Sequence, residues 1–192
     1  MEKLTGLKKT KTAVFISGKG SNLKNLINFT KIKNTPISIN LIVSNTHLAK
    51  GLKFADQFKI KKKIFNFKNP ENTEKKILLL LKKEKIKFIC LAGFMKILSK
   101  EFIRKFNGVI INIHPSLLPK YKGTNTFKRI LKNREIMTGC TVHYVNDKLD
   151  SGKIIIKKKF NLSHDDNEAS LKRKTQILEY RAFSEAISKI YK

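Results

Sequence analysis

At 192 residues the chain can bury one sizeable core, and 41% hydrophobic residues with 13 Phe exclude global disorder. No apolar run approaches the ~20 residues of a membrane-spanning helix, and the basic N-terminus leads into a strand-like run without a signal-peptide pattern. The net charge of +28 would suit nucleic acid or anionic small molecules, yet Lys supplies 37 of the 42 basic residues and is spread along the whole chain. The Arg-and-aromatic interleaving of a single-strand platform is missing. A solvated basic surface is therefore the reading taken, with no nucleic-acid or membrane partner expected. Cys90 and Cys140 lie in apolar runs and read as buried free thiols of a reducing, cytoplasmic compartment.

Ala13–Ser17 reads as a buried strand, followed by the loop Gly18–Asn22 and a helix over Leu23–Phe29, where Leu23, Leu26 and Ile27 fall at helical spacing. Ile37–Ser44 is a second strand, Leu52–Phe58 a helix and Lys62–Phe67 a third strand. Pro70 opens a helix running to about Glu84, with Glu71 and Glu74 suited to its first turn. Phe88–Ala92 reads as a strand, Lys100–Phe106 as a helix and Val109–Asn112 as a strand. After a loop over 113–123 come a helix near Asn125–Lys132 and two β-runs, Met137–Val145 and Lys153–Phe160, positioned to pair antiparallel through a polar turn. A last helix follows Ser163–Asp166 and runs to Lys192. Alternating strands and helices without repeats or linkers imply one α/β domain, a mostly parallel twisted sheet with helices on both faces and partly antiparallel last strands.

Two places carry chemistry. Gly18-Lys19-Gly20-Ser21-Asn22 joins the first strand to the first helix, at the carboxyl ends of the strands where ligands bind in open sheets. Glycines and a helix N-terminus suit a phosphate; Ser21 or Asn22 would serve equally as a plain helix cap. Asn112 and His114 stand two residues apart, so both side chains can enter one crevice, an amide donor beside an imidazole that can donate charge and a proton. Pro115 and Pro119 bracket Ser116–Leu118 and stiffen that loop. The acidic turn Asn146–Gly152 could bring a carboxylate to His114 and raise its pKa, or be an ordinary turn capped by its own Asp side chains. No metal-ligand spacing is present among His47, His114, His143 and His164. His143, alternating along a β-run, reads as structural or supporting.

Four segments in order, Ile16–Leu23, Leu91–Leu98, Ile111–Pro119 and Leu149–Gly152, resemble the glycinamide ribonucleotide formyltransferase family. Asn-x-His-Pro-Ser-Leu-Leu-Pro is specific for formyltransferases, and Ser-Gly-x-Gly-Ser-Asn narrows the resemblance to this family. It implies a Rossmann-like formyltransferase fold, with a phosphate-binding half at about 12–105 and a catalytic and folate-binding half at about 106–192. The implied catalytic residues are Asn112, His114 and Asp150. Gly20, Ser21, Asn22, Gln176 and Glu179 are implied to bind the amine substrate. Met95, Lys96, Ile97, Leu98, Asn112, Asn146, Asp147, Lys148, Leu149 and Asp150 are implied to line the folate pocket. The implied co-substrate is 10-formyltetrahydrofolate, the implied reaction formyl transfer to an amine in purine biosynthesis, without a metal, by a monomer or homodimer. Lys96 replaces the family's usual Arg, Lys122–Phe127 departs from its pattern, and Pro70 stands where it has a basic residue, with Lys68 nearby. Methionyl-tRNA formyltransferase shares the central motif, but the chain reads as too short for its additional domain and carries a different first loop.

Overall fold

The computed structural model describes residues 9–192; the signal-peptide reading of the first eight residues lies outside them. Seven strands, β1 (Thr10–Ile16), β2 (Ile37–Ser44), β3 (Lys61–Ile64), β4 (Phe88–Leu91), β5 (Val109–His114), β6 (Met137–Tyr144) and β7 (Ile154–Asn161), form one sheet in the order β3-β2-β1-β4-β5-β6-β7. β1 to β5 pair in parallel, and β6 and β7 add antiparallel. The helices are α1 (Ser21–Thr30), α2 (Leu52–Gln57), α3 (Pro70–Lys83), α4 (Lys100–Lys105), α5 (Thr126–Lys132) and α6 (Glu168–Ile190).

β1 explains the two-sided architecture. Val14 and Ile16 face one core and Ala13 and Phe15 the other, all fully buried, as a central parallel strand requires. The first core takes Leu23, Leu26 and Ile27 of α1 with Ala182, Phe183, Ala186 and Ile187 of α6. The second takes Ile77 and Leu81 of α3 with Phe102 and Phe106 from the α4 segment. Cys90 and Cys140 are buried and free; burial pushes the Cys140 thiol up to about 12, which makes it inert.

Two expectations shift in detail. β3 ends at Ile64, short of Phe67, because the Asn66 side chain turns the chain by accepting from the Lys68 N–H. Glu74 is buried, not a solvated first-turn acid: it accepts from the Ser99 N–H at 2.9 Å and from the Ser99 hydroxyl, tying α3 to α4. Pro70 is the first residue of α3, capped by Asn69. The strand order reverses between β2 and β4 about β1, so a crevice opens at the carboxyl ends of β1 and β4. Both sheet edges carry lysine triplets, Lys61–Lys63 on β3 and Lys157–Lys159 on β7.

Candidate active site

The loop after β1 turns on Gly20, which has φ +74°, a left-handed conformation that suits glycine. A Cβ there would lie 2.5 Å from the Gly51 Cα, so both conformation and space demand glycine. Gly20 is the N-cap of α1, and no side chain caps the helix. That decides between the two readings of this loop in favour of an open N-terminus. Ser21 and Asn22 turn instead to α6: the Gln176 amide donates to Ser21 Oγ at 2.7 Å, and Asn22 Nδ2 donates to Glu179 Oε2 at 2.8 Å. Asn22 Oδ1 is buried without any partner. Burial pushes the Glu179 carboxyl up, and the Asn22 hydrogen bond and the Lys172 charge only partly offset it.

The second cluster gathers at the end of β5, which runs on to His114. Asp150 has φ 45°, a left-handed residue at the end of the turn after β6. Its carboxylate reaches Asn112 Nδ2 at 3.3 Å through Oδ1 and His114 Nδ1 at 3.3 Å through Oδ2, with both His114 and Asp150 buried. Oδ2 also accepts from the Gly123 N–H at 2.9 Å. The turn's Asx contact is made by Asn146, not Asp150, whose carboxylate is thus left for the histidine. Gly152 seats the turn against β6, where a Cβ would overlap the Tyr144 carbonyl.

Two members of this cluster were not read from the sequence as contacting the trio. His143 lies opposite Asn112 in the β5–β6 register, beside a β-bulge between Val142 and His143. Its Nδ1 donates to the Tyr144 carbonyl at 2.8 Å, so its Nε2 meets Asn112 Nδ2 at 3.2 Å and Asp150 Oδ1 at 3.6 Å. The Tyr121 carbonyl lies 2.8 Å from His114 Nε2; a carbonyl only accepts, so that nitrogen carries the proton. His143 had a signal only in the strand register. A backbone carbonyl has none.

Asp150 is drawn up by burial but held below the usual carboxylate range by His143, the Gly123 N–H and the charge on His114. The expected rise in His114 is corrected. Burial pushes the imidazole down, and the Tyr121 carbonyl and Asp150 do not fully offset it, while His143 and Arg129 add to the fall. Sequence showed the carboxylate but not the depth of burial.

The remaining predicted residues flank the crevice. Met95 and Ile97 are exposed, Lys96 is exposed and Leu98 buried in the loop after β4. That loop is tied to β1 by the Met95 N–H, which donates to Ser17 Oγ at 2.8 Å. In the turn after β6, Asn146, Asp147, Lys148 and Leu149 are all exposed. Asp147 faces Lys100 at 3.8 Å. The departing stretch Lys122–Phe127 folds over Asp150 through the Gly123 N–H.

Residues 10–187 match the family model described as formyl transferase. The chain belongs to the formyl transferase family. It is 38% identical over 176 residues to a phosphoribosylglycinamide formyltransferase of Haemophilus influenzae, covering 90% of this chain and 83% of that protein. It is 39% identical over 183 residues, 94% of its length, to the human trifunctional purine biosynthetic protein adenosine-3, of which it spans 18%. A crystal structure of phosphoribosylglycinamide formyltransferase from Brucella melitensis superposes with a TM-score of 0.90 at 35% identity, covering 95% of this chain and 96% of that one. This formyl transferase thus shares its sheet, with the antiparallel β6 and β7, with solved relatives. Among the described residues no helix is long and apolar enough to cross a membrane.

Proposed function

We propose that this chain transfers the formyl group of 10-formyltetrahydrofolate to the primary amine of glycinamide ribonucleotide, a step of purine biosynthesis, in the cytoplasm. The observation that carries this reading is the Asp150 carboxylate drawing Asn112 and His114 together at the end of β5. The open N-terminus of α1 supports the identity of the amine. Its N–H groups and positive dipole end favour a phosphate, and the unpartnered Asn22 Oδ1 awaits a donor such as a substrate hydroxyl or amine. Residues about 12–105 serve chiefly phosphate binding and about 106–192 catalysis and folate binding, with Met95–Leu98 from the end of the first half joining Asn146–Asp150 of the second to line the folate pocket.

The amine nitrogen attacks the formyl carbon, forming a C–N bond and turning the formyl oxygen into an oxyanion. Asn112 and His114 hold that oxyanion, each donor worth on the order of 3 kcal/mol. Both donors rest on protein acceptors, Asn112 on Asp150 and His143, and His114 Nε2 on the Tyr121 carbonyl. The oxyanion takes them over as charge develops. Asp150, ionised because its pKa is lowered, supports the imidazolium and, through water, moves the proton from the attacking amine to the leaving folate nitrogen as the old C–N bond breaks.

A formyl-transfer assay offering glycinamide ribonucleotide and charged initiator tRNA in parallel tests the assignment. Consumption of the ribonucleotide alone is expected. Formylation of the tRNA alone overturns it.

A further inference from the structure

The Tyr121 carbonyl lies on His114 Nε2, the ring nitrogen opposite the one facing Asp150. The loop from Leu117 to Tyr121 is fixed on its inner side by buried Leu118 and by the Ser116 hydroxyl, which donates to the Lys120 carbonyl at 2.6 Å, while its other side borders a cavity of about 310 Å³ also lined by Glu135 and Met137. Tyr121 is a non-glycine residue at φ 60°, a conformation that persists only where surroundings enforce it. Beyond Lys120, the enforcing contacts are polar and converge on the Tyr121 side chain. Its hydroxyl donates to Glu135 Oε1 at 2.7 Å and accepts from Asn133 Nδ2 at 2.9 Å. The Arg129 guanidinium lies 5.4 Å from the ring centroid and donates to the next carbonyl, that of Lys122, at 2.6 Å. Lys120 completes the anchor by pairing with Glu135 at 2.9 Å.

We propose that Tyr121 is a positioning residue for His114: its side chain, anchored by Glu135, Asn133 and Arg129, holds its own carbonyl on the imidazole Nε2 and so fixes ring orientation and the nitrogen that donates. The inference rests on the formyl-transfer reading of the site. The ring is thereby gripped at both nitrogens, by Asp150 at Nδ1 and by Tyr121 at Nε2. Two acceptors at opposite ends are both satisfied only by the imidazolium. The groups facing His114 are Asp150 from the turn after β6, His143 from β6, Arg129 from α5 and the Tyr121 carbonyl from its own loop. The carbonyl and Asp150 favour its charged form, and loosening the anchor removes one of these two supports.

The test is an NMR titration of the His114 ring in the whole protein, with the resonance assigned through His114→Gln. In Tyr121→Phe and Glu135→Ala the titration midpoint falls below the wild-type value. Turnover falls about 10-fold, with both KM values within about twofold. Glu135→Gln, which keeps an acceptor for the phenol, restores the wild-type midpoint. An unchanged midpoint in both loosened variants overturns the proposal, as does a loss confined to KM. The titration needs no substrate. A wild-type protein without formyl transfer would therefore remove the reading of the site, while the midpoints would still decide the anchor.

Discussion

The two ends of the crevice are built on different plans. At the α1 end, side chains meet one to one across the fold, Ser21 with Gln176 and Asn22 with Glu179, and one acceptor is left over. At the β5 end a single carboxylate is shared by Asn112, His114, His143 and the Gly123 N–H. Pairs fail singly, whereas a shared centre fails as a unit. On the proposed reading, the α1 end, which would bind, can be tuned residue by residue, and the β5 end, which would transfer, cannot.

The largest expected effect tests the shared centre. Asp150→Asn keeps the left-handed backbone, which Asn tolerates, but removes the charge, and kcat falls on the order of 10³-fold with the fold intact. Near-wild-type turnover would reduce Asp150 to a structural residue. The same variant sharpens the pH dependence. His114 is held below its ordinary 6.5, so its charged form is lost as pH rises through that lower midpoint, and the descending limb of kcat/KM lies below 6.5. Removing Asp150 takes away a charge that raises the midpoint and moves it lower still. A wild-type limb well above 6.5 would contradict this.

At the paired end the losses are smaller and fall on binding. Asn22→Ala raises the KM for the phosphorylated amine about 10-fold, with kcat changed less than about threefold. The reverse split would move Asn22 into the chemistry. The smallest effect is on stability. Glu179 has its folded-state pKa raised above 4.5 by burial, so the folded state binds the extra proton and stability falls as pH rises through that value. Glu179→Gln, which can still accept from Asn22, therefore raises Tm at pH 7 by about 2 °C, and the gain shrinks as pH falls towards 4.5. Equal gains at both pH values would show that the carboxylate's charge is not the cause.

Much of the fold and of the trio was legible in the sequence for identifiable reasons. β4 is a continuous apolar run and β2 carries one over Leu41–Val43, and Pro70 marks the start of α3. Asn112, His114 and Asp150 stood out because their motifs are specific and their side-chain types suit oxyanion and proton chemistry. Tyr121 and Gly123 act through backbone groups that every residue possesses, so no residue type points to them. His143 became a partner of Asn112 only once the β5–β6 register placed the two opposite each other. The direction of the His114 shift depended on burial, which results from how α5 and the loop after β5 close over the site.

The lysine triplets at the two sheet edges bear on how copies of this chain coexist in solution. Each edge strand offers unpaired N–H and C=O groups to any extended segment that approaches. Lys61 and Lys62 pair with Glu84 and Asp56, and Lys158 with Glu185, so Lys63 on one edge and Lys157 and Lys159 on the other, with the net charge of +28, are what would oppose the docking of another copy's strand. That barrier is a matter of ionic strength, strong in dilute buffer and screened within about 8 Å at physiological salt. The charge that at first suggested a partner would then act as a spacer between copies.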